Sequence, residues 1–162
     1  MANNASSATP FAPIIIIGIG NEFRGDDGAG LAVAEILKAE KLAGVEIKIE
    51  SGEGAILLES WHNFSTAIIV DAARGGAPPG TIHRFKIDDT PLPRRMFNSC
   101  SSHAFSVVEA IEMGKTLNRL PPNLIVYGIE GKSFGMGIGV SDEVQMAVEI
   151  LAKQIAADVS IV

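Results

Sequence analysis

The chain has 162 residues, 47% of them hydrophobic but only 6% aromatic, with a formal net charge of −6 and a single cysteine. That length suits one domain with a core of Ile, Val, Leu and Ala. The acidic balance, with no basic cluster larger than Arg94-Arg95, excludes a phosphate-tracking surface and so argues against nucleic acid as a partner. The lone Cys100 leaves no internal disulfide framework and fits a reducing, cytoplasmic setting. No apolar run approaches the roughly 18–20 residues of a membrane span.

Residues 1–13 (MANNASSATPFAP) have neither the basic nor the apolar segment of a signal peptide and read as a disordered polar tail before a single domain at 14–162. Ile14–Ile17 is a β-branched run, the pattern of a strand covered on both faces. A glycine-rich turn, Gly18-Ile19-Gly20, leads to a helix opening at Asp26 and Asp27, whose buried stripe is Gly30, Val33, Ala34 and Leu37. Val45–Glu50 alternates strictly and reads as a half-exposed edge strand, followed by a turn at 51–54 and a short helix over Ala55–Trp61. Ala67–Asp71 is a second buried strand. After the turn Arg74–Gly80, Thr81–Ile87 forms another strand, and its short connection favours antiparallel pairing. Residues 88–102 read as loop and His103 as the start of the next helix, which stops at Pro121-Pro122. Leu124–Tyr127 is a buried strand, a glycine-rich loop follows, and Ser141 caps the last helix, with Asp142 and Glu143 in its first turn. The sum is an α/β fold: a three-layer α/β/α sandwich around a twisted, mostly parallel sheet of about five strands.

The first turn resembles a dinucleotide loop, but the third glycine falls at Phe23, and two acids at the helix mouth repel a pyrophosphate. A helix N-terminus needs only one capping carboxylate, so Asp26 is expected to cap and Asp27 to bind a ligand. Asp71 ends a buried strand, the sheet edge that Asp27 shares, and two carboxylates in one crevice call for a cation or a proton between them. Among the histidines, His62 precedes its strand and so lies at the opposite edge. His103, after a Ser-rich loop, is preferred as the third ligand, with His83 the fallback. Cys100 with His103 as nucleophile and base is the weaker reading, because nearby carboxylates raise a thiol pKa.

Gly18-Ile19-Gly20-Asn21, Arg24–Gly30, Asp71-Ala72-Ala73, Ser102-His103 and the glycine-rich loop before Ser141 together resemble the hydrogenase maturation endopeptidases, which process the large subunit of NiFe hydrogenases. The resemblance runs from Ile14 to the last helix. It implies a five-stranded sheet flanked by helices and a metal-binding, catalytic cleft of Asp27, Asp71 and His103, with Gly52 and Gly54 in a turn that contacts substrate. It implies one cut that removes a C-terminal extension from the large-subunit precursor once nickel is in place. The nickel would come with that precursor, and another divalent ion such as zinc could replace it in vitro. Two readings from other classes stand beside it: a non-catalytic nickel-binding chaperone of hydrogenase assembly, and a phosphorylase-like or nucleoside-handling enzyme, which the acidic loop disfavours.

Overall fold

In the computed structural model, residues 13–51, 54–88, 91–97 and 106–160 are described. The expected tail, residues 1–12, and the loop segments at 52–53, 89–90 and 98–105 lie outside them. Pro13, assigned to the tail from sequence, already belongs to the fold, because its carbonyl accepts from the amides of Ser65 and Thr66 at 3.2 and 3.3 Å.

The strands are β1 (Ile14–Ile19), β2 (Val45–Glu50), β3 (Thr66–Ala73), β4 (Ile82–Lys86) and β5 (Asn123–Glu130). The helices are α1 (Ala29–Ala39), α2 (Gly54–Ser60), α3 (Val107–Thr116) and α4 (Asp142–Ser160). Strand order is β2-β1-β3-β5-β4, all parallel except β4, which runs antiparallel to β5. Both expectations for the peripheral strands hold: the alternating β2 is one edge, and the strand after the Arg74–Gly80 turn is the antiparallel other edge.

Side chains leave a strand on alternate faces, and the isoleucine run of β1 uses both. Ile14 and Ile16 pack with Val33 and Leu37 of α1 and with Val144, Val148, Leu151 and Ile155 of α4. Ile15, Ile17 and Ile19 pack with Leu57 of α2, Val108 and Ile111 of α3, and Trp61. Two helices on each face therefore bury an uninterrupted apolar strand. α1 lies unusually close to the sheet: a Cβ on Gly30 would meet the Val70 carbonyl oxygen at 2.2 Å and that of Ile19 at 2.4 Å. The glycines of the first motif thus serve helix–sheet approach, with no phosphate required.

Several boundaries differ from the sequence expectation: the helix expected to open at Asp26 and Asp27 begins at Ala29, after a 3-10 turn over Gly25–Gly28. β3 and β5 run on to Ala73 and Glu130, since the ladder continues through Asp71↔Gly128 and Ala73↔Glu130. The glycine that reads as a loop start, Gly128, stays in the strand, where the Phe97 ring covers it. The helix expected from His103 starts at Val107. Its N-cap is Ser106, whose hydroxyl accepts from Val108 N while Glu109 bonds back to the Ser106 backbone, a capping box that fixes the start.

Candidate functional site

The chain passes from β1 through α1 to β2 on one face, then through α2 to β3 on the other, so β1 and β3 become neighbours whose connections leave in opposite directions. That reversal opens a crevice beyond the carboxyl ends of β1 and β3. Asp27 comes from the 3-10 turn Gly25–Gly28 that follows β1, and Asp71 from the end of β3.

Asp71 is 9% exposed, and its Oδ1 accepts from the Ala72 amide at 2.8 Å. Burial, then the charge of Asp27, push its carboxyl up to about 8, against the pull of that amide. The Asp27 carboxylate accepts from the Asn21 amide at 3.0 Å. Burial raises it above its ordinary value, while the Asn21 hydrogen bond and the charges of Arg74 and Arg24 work the other way. The two acids stand close enough that the charge of Asp27 acts on Asp71.

His103, the expected third ligand, and Cys100 lie outside the described residues, as does Gly52; Gly54 is the first residue of α2. Among the described residues no group of three His, Cys, Asp or Glu side chains is placed to hold a metal. His83, the fallback, is committed elsewhere. Its Nε2 lies 3.0 Å from Glu130 Oε1, and the ring stacks on Phe85. Gly128 separates His83 from Asp71 in the sheet register, with the Phe97 ring over it. His62 is exposed beyond α2, at the opposite edge, as expected.

Asp26 does not cap its own helix, and the turn it sits in has no side-chain cap. Its buried carboxylate instead reaches the segment after β5. It accepts from the amides of Lys132 (2.7 Å), Ser133 (2.9 Å) and Ser141 (2.6 Å) and from the Ser141 hydroxyl (2.9 Å). Burial opposes its charge, yet the backbone bonds from Ser141, Ser133 and Lys132 outweigh it and hold the carboxyl below its ordinary value. Ser141 stands where a cap was expected, its carbonyl accepting from Gln145 N, but its hydroxyl is turned toward Asp26. Backbone bonds complete the joint: Asp26 N to Ser133 O, Gly25 N to Gly137 O and Gly137 N to Phe23 O, at 2.8, 2.9 and 2.9 Å.

Sequence reasoning missed two residues at the carboxyl-end edge of the sheet. Glu130, buried at the carboxyl end of β5, accepts from His83 and from the Gly75 amide at 2.7 Å. It meets the sheet-edge criterion that singled out Asp71, and only the early strand end at Tyr127 hid it. Arg74 follows β3; its guanidinium carbon lies 3.8 Å from the Phe134 ring centroid, and its charge acts on Asp27.

The chain matches the family model described as hydrogenase maturation protease over residues 32–158, a span that includes Asp71 and begins just after Asp27. A putative hydrogenase maturation protease of Methanocaldococcus jannaschii is 31% identical over 142 residues, covering 84% of this chain and 89% of that one. Among solved structures, the hydrogenase maturating endopeptidase HybD from E. coli superposes with a TM-score of 0.77 at 23% identity, covering 91% of this chain and 92% of that one. The NiFe hydrogenase maturation protease HycI from Thermococcus kodakarensis gives 0.67 at 26% identity over 90% and 91% of the two chains. Among the described residues, no helix is long and apolar enough to cross a membrane.

Proposed function

The chain belongs to the hydrogenase maturation protease family, and we propose that it cuts a NiFe hydrogenase large-subunit precursor once, in the cytoplasm, releasing its C-terminal extension after nickel has been inserted. The observation that carries this reading is the coupled pair Asp27 and Asp71, two carboxylates from neighbouring strand ends whose repulsion a divalent cation relieves. With His103 as third ligand, two oxygens and one nitrogen suit a borderline ion such as nickel and leave positions for the precursor's own groups. The nickel is the substrate's cargo, and another divalent ion such as zinc could take its place in vitro. Held by Asp27, Asp71 and His103, it would supply Lewis-acid polarisation of the scissile carbonyl or mark the precursor as loaded.

The chain's own residues do the rest. At Asp27 burial raises the carboxyl, while the charges of Arg74 and Arg24 favour its ionised form. Burial and the charge of Asp27 favour the protonated form of Asp71, whose proton a cation would replace. Gly52 and Gly54 are assigned to the extended substrate backbone on the family resemblance of their turn. Incubation with nickel-loaded and nickel-free precursor, read by intact mass, tests the proposal. The expected result is loss of a C-terminal peptide from the loaded form only. Tight nickel binding without cutting in either arm would overturn the protease reading in favour of an assembly chaperone.

A further inference from the structure

Three large apolar side chains stand in solvent at one place: Phe23 is 56% exposed, Met136 91% and Ile138 81%. They come from two loops far apart in sequence, the one after β1 and the one after β5. Arg24 pairs with Gly137 in a parallel bridge, which sets Phe23 beside Met136, with Ile138 following. The bridge is closed by the Gly137–Phe23 and Gly25–Gly137 backbone bonds. The Asp26 carboxylate then pins both ends of the second loop, at Lys132–Ser133 and at Ser141. The apolar side chains are therefore displayed on a fixed frame, and that frame carries Asp27 two residues beyond Gly25.

Resting on the protease reading above, we propose that Phe23, Met136 and Ile138 form a lip that docks an apolar stretch of the large-subunit precursor beside the segment to be cut. The position decides the occupant. Phe23 stands four residues before Asp27 on the same loop, so a second copy of this chain seated on the lip would crowd the approach to Asp27. Three side chains also cover far less than the roughly 1,200–2,000 Å² of a stable protein interface. A small apolar contact that holds substrate and then releases product suits a turnover enzyme, and such patches mark interaction sites.

The test replaces Met136 and Ile138 by Glu, singly and together, with Met136→Leu as the conservative variant and Ile150→Glu, on exposed α4 surface, as the control. Circular dichroism checks folding, and processing of nickel-loaded precursor gives KM and kcat. Binding of labelled precursor is read in an Asp71→Asn background that blocks turnover. The double Glu variant is expected to raise KM and Kd at least about tenfold with kcat little changed, while Met136→Leu and Ile150→Glu behave as wild type. Wild-type cutting with unaltered KM and Kd in the Glu variants overturns the lip and leaves the protease reading standing. Weakened binding in the Glu variants, with no cutting by wild type, overturns the protease reading and leaves the lip. A wild-type dimer that Met136→Glu separates overturns the lip in favour of self-association.

Discussion

Replacing Asp26 distinguishes a carboxylate that joins two loops from one that caps a helix. In the folded chain it accepts three backbone amides and one hydroxyl while 1% exposed. Hydrogen bonds to a charged group contribute about 1.5–3 kcal/mol each, and a buried donor left without a partner costs about 1–3 kcal/mol. The Ser141 hydroxyl can rotate to water and the loop can relax, so the losses do not sum. Asp26→Ala is expected to cost about 3–5 kcal/mol, a large part of the roughly 5–15 kcal/mol that holds a domain folded. Asp26→Asn is the sharper variant. At a helix N-cap, Asn replaces Asp with little loss. Here the donors fall on both oxygens, Ser141 N on Oδ1 and the other three on Oδ2, so an amide NH2 must face at least one N–H. Most of the Ala penalty should therefore persist. Urea unfolding of metal-free protein, followed by circular dichroism and by the fluorescence of buried Trp61, measures both variants. An Asn variant within about 1 kcal/mol of wild type would refute the inter-loop account and restore capping.

Asp71→Asn should lower processing by more than about a hundredfold while raising the melting temperature, since it removes a buried carboxyl that folding pushes toward its protonated form at a cost; normal processing would remove Asp71 from the site. His83→Ala should leave processing in place and cost about 1–2 kcal/mol by depriving buried Glu130 of a partner. A loss of activity matching that of Asp71→Asn would instead make His83 a ligand. Gly30→Ala should cost about 2 kcal/mol or more, because its Cβ meets backbone oxygens of two strands; a stable variant would mean that α1 can lift from the sheet. For Glu109, burial raises the carboxyl, but hydrogen bonds from Ser106 and the charge of Arg94 hold it below its ordinary value of 4.5. Its contribution is thus present above that value and lost as pH falls through the lower folded one. Glu109→Gln should flatten the acid limb of stability measured by urea midpoint between about pH 5 and 3, and coincident limbs for the two proteins would contradict the assignment.

The positions of the elements were legible in the sequence because their signals are local. The Ile14–Ile17 run, the 30-33-34-37 stripe of α1 and the alternation of Val45–Glu50 each specify a surface to bury, and each element stands where its pattern places it. The family resemblance was legible for a related reason, since its most specific motif is one continuous turn. Boundaries were not. Gly128 reads as a loop residue until the Phe97 ring and the β3 ladder give it a place in a strand, and the extension of β5 brings Glu130 to the sheet edge.

The sequence by itself determined that this is an α/β sandwich of the hydrogenase maturation protease family, with Asp27 and Asp71 at strand ends. Only the tertiary structure decided that β1 and β3 are neighbours, which brings Asp27 near enough for its charge to act on Asp71. It alone decided what Asp26 does. A cap is a local bond that neighbouring residues can announce, whereas the amides Asp26 satisfies lie 106 to 115 positions along the chain. No periodicity encodes that pairing, which exists only once the sheet has set the first and last loops side by side. The adjacent acids of the opening motif thus differ in what they touch: Asp26 holds the loop after β5 in place, and Asp27 stands near enough to Asp71 for its charge to raise that carboxyl.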